Sequence, residues 1–96
     1  MPPNSDASVR VDDAAEIDVV LPAHLHARPA GQLVKVAARF RSTLHIAYRD
    51  KTVDVTGILA VMGLGAVAGS TITVRAQGED AHHAVTEIAQ LLRTID

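Results

Sequence analysis

Residues 24–40 read HLHARPAGQLVKVAARF, and the hydrophobic period changes inside them. Ahead of this stretch Ile17, Val19 and Leu21 alternate with Asp18 and Val20, the two-residue period of a strand with one strongly apolar face. From Pro29 onward Ala30, Leu33, Val34, Ala37 and Phe40 recur at i, i+3, i+4, i+7 and i+10, the stripe of an amphipathic helix. Lys35, Arg39 and Arg41 lie mostly off that stripe. A strand therefore hands over to a helix across residues 24–28. Pro29 suits the first helical turn because its missing N–H would have had no partner there. Helices usually open on Ser, Thr, Asp or Asn, whose side chains cap the first N–H groups. This one opens on histidine, arginine and proline.

Reading outward, Leu44, Ile46 and Tyr48 alternate with Thr43, His45 and Ala47, which predicts a second strand. Arg49-Asp50 is its turn, without the Asn-Gly pair that tight hairpins prefer. Lys51 to Val55 returns as a third strand, with Val53 and Val55 on one face. The block GILAVMGLG, residues 57–65, predicts one or two helical turns stopped near Gly63 or Gly65. Thr71 to Ala76 alternates cleanly as a fourth strand. After Gly78, residues Ala81, Ala84, Val85, Ile88, Leu91, Leu92 and Ile95 form the longest amphipathic stripe, with Glu79 and Asp80 at its start, where the helix dipole favours negative charge. The order β-α-β-β-α-β-α predicts an α+β open-faced sandwich, a four-stranded antiparallel sheet covered on one face by three helices. Leu33, Val34, Ala37, Phe40, Ile88 and Leu91 are the helical positions expected to pack inward. Residues 1–15 are polar, acidic and proline-bearing, and read as a disordered tail ahead of one domain over residues 16–96.

Composition excludes several function classes. The 96 residues suit a single core, and with aromatics at 2% that core must be Val, Leu, Ile and Ala. A net charge of −2 gives no basic footprint for nucleic acid. The apolar runs are too short to span a membrane and the first residues lack a signal-peptide core, so a cytoplasmic protein without membrane insertion is expected. With no cysteine, disulfide frameworks, thiolate nucleophiles and Cys-based zinc sites fall away together. No carboxylate pair, Ser–His–Asp arrangement or Gly-rich nucleotide loop supports a free hydrolytic enzyme. His24, His26, His45, His82 and His83 show no ligand spacing such as HExxH, so neither metal nor cofactor is expected.

The chemistry concentrates at His26. A helix N-terminus presents unpaired N–H groups and the positive end of the dipole, a natural anion site. Arg28 adds a fixed charge whose donor fork suits phosphate oxygens. A neutral imidazole is a competent nucleophile near pH 7 and needs no separate base to attack phosphorus. Such a site can accept a phosphoryl group, hold its charge and pass it on. The same pattern also fits a surface loop whose histidine merely caps a helix, and spacing alone leaves both readings open.

Three blocks in register go further: LHARPA with QLVKVA (residues 25–30 and 32–37), GILAVMGLG (57–65) and GSTITVRAQGEDA (69–81). Together, from about Ile17 to Leu92, the chain resembles the HPr family, the histidine-containing phosphocarriers of the bacterial phosphoenolpyruvate-dependent phosphotransferase system. The resemblance implies a carrier, not an enzyme with its own turnover. It implies that His26 is phosphorylated on Nδ1 by phospho-enzyme I and donates to a histidine of an enzyme II A component. Arg28 matches the family arginine that stabilises the phosphoryl charge. Ala27, Gln32 and Lys35 match partner-facing positions. Ile58, Leu59 and Met62 would form an apolar docking patch, ordinary core packing being the other reading of those three. A monomer is expected.

Two positions depart from the family pattern. His24-Leu25 stands where Gly-Leu usually precedes the site, and His24 reads as a solvated loop residue. Gly57 occupies the position of the serine that a dedicated kinase modifies in many relatives, so that switch is missing. Thr56 is the only adjacent hydroxyl, either a displaced acceptor or a helix cap. A reading of a different class is a non-transferring regulatory module using the same surface, against which the retention of both His26 and Arg28 argues. Sugar uptake, a nitrogen-linked branch and a dihydroxyacetone-kinase relay all use carriers of this kind.

Overall fold

The computed structural model describes residues 13–96, so residues 1–12 of the expected tail lie outside the described residues, while Ala14 and Ala15, expected in the tail, are paired as the start of the first strand. The elements run β1 (Ala14–Val20), α1 (Ala27–Ala37), β2 (Thr43–Tyr48), β3 (Lys51–Asp54), α2 (Ile58–Met62), β4 (Thr71–Gln77) and α3 (Ala81–Arg93). The sheet has the order β1-β4-β2-β3 with every neighbouring pair antiparallel. β2 and β3 form a hairpin, while α1 carries the chain over β4 and α2 carries it over β2. The expected architecture is the observed one. Alternation decides which face is covered: Ile72, Val74 and Ala76 of β4 are buried beneath the helices, while Thr71, Arg75 and Gln77 are exposed on the open face.

The open face is polar and paired across strands. Glu16, Arg75, His45 and Asp54 stand in one row over all four strands. Arg75 Nε donates to Glu16 over 3.0 Å, and His45 Nε2 lies 2.5 Å from the Asp54 carboxylate. The turn between β2 and β3 is tight despite lacking Asn-Gly. Arg49 adopts φ +56°, a left-handed conformation few non-glycine residues take, with its guanidinium 5.1 Å over the Tyr48 ring.

Three helical details correct the sequence reading. α1 begins at Ala27, two residues before Pro29, because its first turn is set by the backbone of His26. It ends at Ala37, so Phe40 lies past it, half-buried, after Arg39 N and Phe40 N have turned back onto Val36 O and Ala37 O. Val34 is likewise only half-buried. In α3 the inward line runs through Ala81, Ala84, Val85, Ile88, Ala89 and Leu92. Leu92 is fully buried, whereas Leu91, one 100° step back, sits at the margin of that stripe and is half-buried.

A side-chain clamp ties the start of α3 to the entry of β2. Asp80 occupies the N-cap position, but its carboxylate does not cap the helix. It accepts instead from the amides of Arg41 and Ser42, both at 2.9 Å, and from the Ser42 hydroxyl. Beside it Gly78 has φ +143°, and a Cβ there would lie 2.7 Å from Ser42 Cα, so only glycine fits. The Ser42 hydroxyl foremost, then the Arg41 amide, hold the Asp80 carboxyl below the usual carboxylate range. A folded-state pKa below the unfolded one stabilises the fold above about pH 4, and that contribution disappears as pH falls further. Asp80→Asn should therefore lower the urea midpoint at pH 7, with the gap to the wild type narrowing by pH 2. A gap independent of pH would contradict this.

Candidate functional site

The site is assembled where β1 ends and α1 begins. Leu21 N donates to Ser70 O at 2.8 Å, Gly69 N to Leu21 O at 2.8 Å and Leu25 N to Ala66 O at 3.1 Å. These bonds fasten the approach segment to the loop before β4. Leu21 and Leu25 are buried, which fixes the segment from the core side. Gly65 and Gly69 let the opposing loop turn, at φ +67° and +87°.

His26 is the N-cap residue of α1, with extended backbone (φ −87°, ψ −169°) and its carbonyl accepting from Ala30 N at 3.0 Å. No side chain caps the first turn, so its N–H groups stay available at the positive end of the helix. Pro29 is buried beneath this turn and anchors it. His26, Ala27 and Arg28 are exposed together on its rim. The helix thus opens without a capping oxygen, with an imidazole and a guanidinium beside its first-turn N–H groups.

Sequence reasoning missed Asp96. Arg28 Nη2 donates to its carboxylate at 2.9 Å and to its main-chain oxygen at 3.3 Å, and the same oxygen lies 3.5 Å from His26 Nε2. Nothing in the local pattern links residues 68 positions apart; only the packing of α3 against α1 brings them together. His24 is an exposed loop residue, and it also makes a specific contact. Its Nδ1 accepts from Ala68 N at 3.4 Å, and its ring borders a shallow cleft with His26 and Asp96.

Around this rim Gln32 and Lys35 are exposed on α1. Val61 on α2 and Leu64 just past its end are buried, while Ile58, Leu59 and Met62 on α2 are 43%, 83% and 37% exposed. α2 lies against α1 at Gly31, where a Cβ would come 3.7 Å from Ile58 Cδ1. Gly57 is the N-cap of α2, with open space around its Cα, which leaves exposed Thr56 outside the cap position. The other histidines are scattered: His45 on the open sheet face and His82 and His83 on the exposed side of α3, His83 edge-on to Phe40 at 5.1 Å. Among the described residues, no three His, Cys, Asp or Glu side chains are grouped to hold a metal ion, and no helix is long and apolar enough to cross a membrane.

Residues 14–94 match a family model described as the PTS HPr component phosphorylation site. The phosphocarrier protein HPr of Buchnera aphidicola is 33% identical over 81 residues, 84% of this chain and 95% of its own length. That of Lysinibacillus sphaericus is 39% identical over 77 residues, 80% and 88% of the two chains. Among solved structures, the histidine-containing phosphocarrier protein of Mycoplasma superposes with a TM-score of 0.77 at 32% identity, covering 84% of this chain and all of that one.

Proposed function

The chain belongs to the HPr family of phosphotransferase-system phosphocarriers, and from that membership we propose that His26 is its phosphoryl-carrying residue, loaded by phospho-enzyme I and discharged to a histidine of an enzyme II A component. One observation carries the assignment to a particular atom. A main-chain oxygen only accepts, so that of Asp96 beside Nε2 favours the tautomer with its proton there and leaves the Nδ1 lone pair as the nucleophile. In each step a P–N bond on the donor imidazole breaks as one forms on the acceptor, and the electron pair stays with the departing ring. No water is consumed, and the two half-reactions are chemically alike. Electrostatic stabilisation and alignment then do most of the catalytic work.

Arg28 supplies the charge. In the unloaded state Asp96 engages its guanidinium, both groups being well exposed, so the pair is weak and readily exchanged for phosphoryl oxygens. Ala27, Gln32, Lys35 and the Ile58–Leu59–Met62 patch form the surface on which both partners dock in this reading. The chain acts as a monomer in the cytoplasm and has no turnover of its own. Loaded protein mixed with a cognate enzyme II A component should lose its label to that component. Label that stays on the carrier would instead support the non-transferring regulatory reading.

Gly57 offers no hydroxyl, so the ATP-dependent kinase that modifies serine in relatives should leave this position unmodified. Phosphate on Thr56 in that reaction would mean that the control has moved by one residue.

A further inference from the structure

We propose that His24 is a second imidazole of the phosphoryl site, donating a hydrogen bond from Nε2–H to the phosphoryl group carried by His26; the proposal rests on the reading of His26 given above. Residues 24–26 form an irregular approach to α1, and His26 itself has extended backbone. Leu25 is buried, while His24 and His26 on either side of it are both exposed. Two positions apart along the chain, their Cα atoms can stand no more than about 7 Å from each other, a spacing at which a group bonded to one ring reaches the other. Both rings border one open cleft of about 380 Å³, with Pro22, Ala23, Ala68 and Asp96. The bond from Ala68 N fixes the chemistry of His24. A backbone amide only donates, so Nδ1 must be the unprotonated nitrogen and Nε2 must carry the proton. The same bond anchors the ring to the loop before β4, itself fastened to the approach segment. His24 is thus an oriented donor at the rim of the phosphoryl site. His26, Arg28 and Asp96 are the other titratable groups gathered there.

Two amide substitutions separate the two nitrogens. His24→Asn keeps an acceptor near the position of Nδ1 and removes the distal donor; His24→Gln carries an amide N–H to the distal position. Each protein is equilibrated with enzyme I and labelled phosphoenolpyruvate, and the partition of label and the hydrolytic half-life of the loaded carrier are measured. A hydrogen bond to a charged acceptor predicts that His24→Asn shifts the partition toward enzyme I by about tenfold and shortens the half-life. His24→Gln should stay within about twofold of the wild type. Wild-type behaviour of His24→Asn, or equal losses in both variants, would overturn the proposal, since the distal proton would then not matter. A wild-type carrier that takes no label would instead refute the reading of His26.

Discussion

Leu92→Ala is expected to lower the stability of the fold by about 2–5 kcal/mol, the range for truncating a leucine in a close-packed core. Leu92 is fully buried on the inward line of α3, beside Ile88 and Ala89. A domain of this size has only about 5–15 kcal/mol in hand, so the change removes a large share of it. Leu91→Ala should cost clearly less, because that side chain is half-buried at the edge of the stripe. Urea midpoints of the two variants check this. Equal losses, or the larger one at Leu91, would mean that α3 is rotated relative to the sheet.

Arg28→Ala is the second large effect, and it falls on transfer. Losing one charge-assisted contact to the transferring group removes about 2.7 kcal/mol of stabilisation, which is roughly a 10²-fold slower phosphoryl transfer. Its pair with Asp96 lies in the open, 64% and 93% exposed, and exposed pairs contribute about 0–1 kcal/mol to stability. The urea midpoint should therefore barely move while the rate constant collapses. Loading rates under single-turnover conditions separate the two. A variant that transfers at the wild-type rate would remove Arg28 from the mechanism.

Much of this was legible in the sequence because the signals are local. Alternation at Leu44 and Ile46 and at Ile72 and Val74 gave the strands. The shift to the 3.6-residue period after Pro29 located α1 within two residues, and Gly63 and Gly65 bounded α2. What the sequence hid is of two kinds. Helix rotation is a matter of one 100° step, and Leu91-Leu92 offers two leucines between which periodicity barely chooses; packing against β1 and β4 makes the choice. Long-range meetings leave no local trace at all: Asp96 at Arg28, Ala68 at His24 and Asp80 at Ser42 are brought together by the sheet order β1-β4-β2-β3 and the helices above it. Asp80 had a local rationale in the helix dipole, yet its carboxylate is turned to the β2 entry, where three donors outbid the helix end.

The most direct measurement is the fate of label from phosphoenolpyruvate after incubation with enzyme I. Protonating the imidazole makes it a better leaving group, so a phosphoryl group on His26 should be released in acid and persist in base, whereas serine or threonine phosphate behaves much the other way. Phosphorus NMR of the loaded protein and site mapping should give a single Nδ1-phosphohistidine at His26, His26→Ala should take up no label, and His24→Ala should still take it up. Label that survives acid, that maps to His24, His82 or His83, or that persists in His26→Ala would contradict the account.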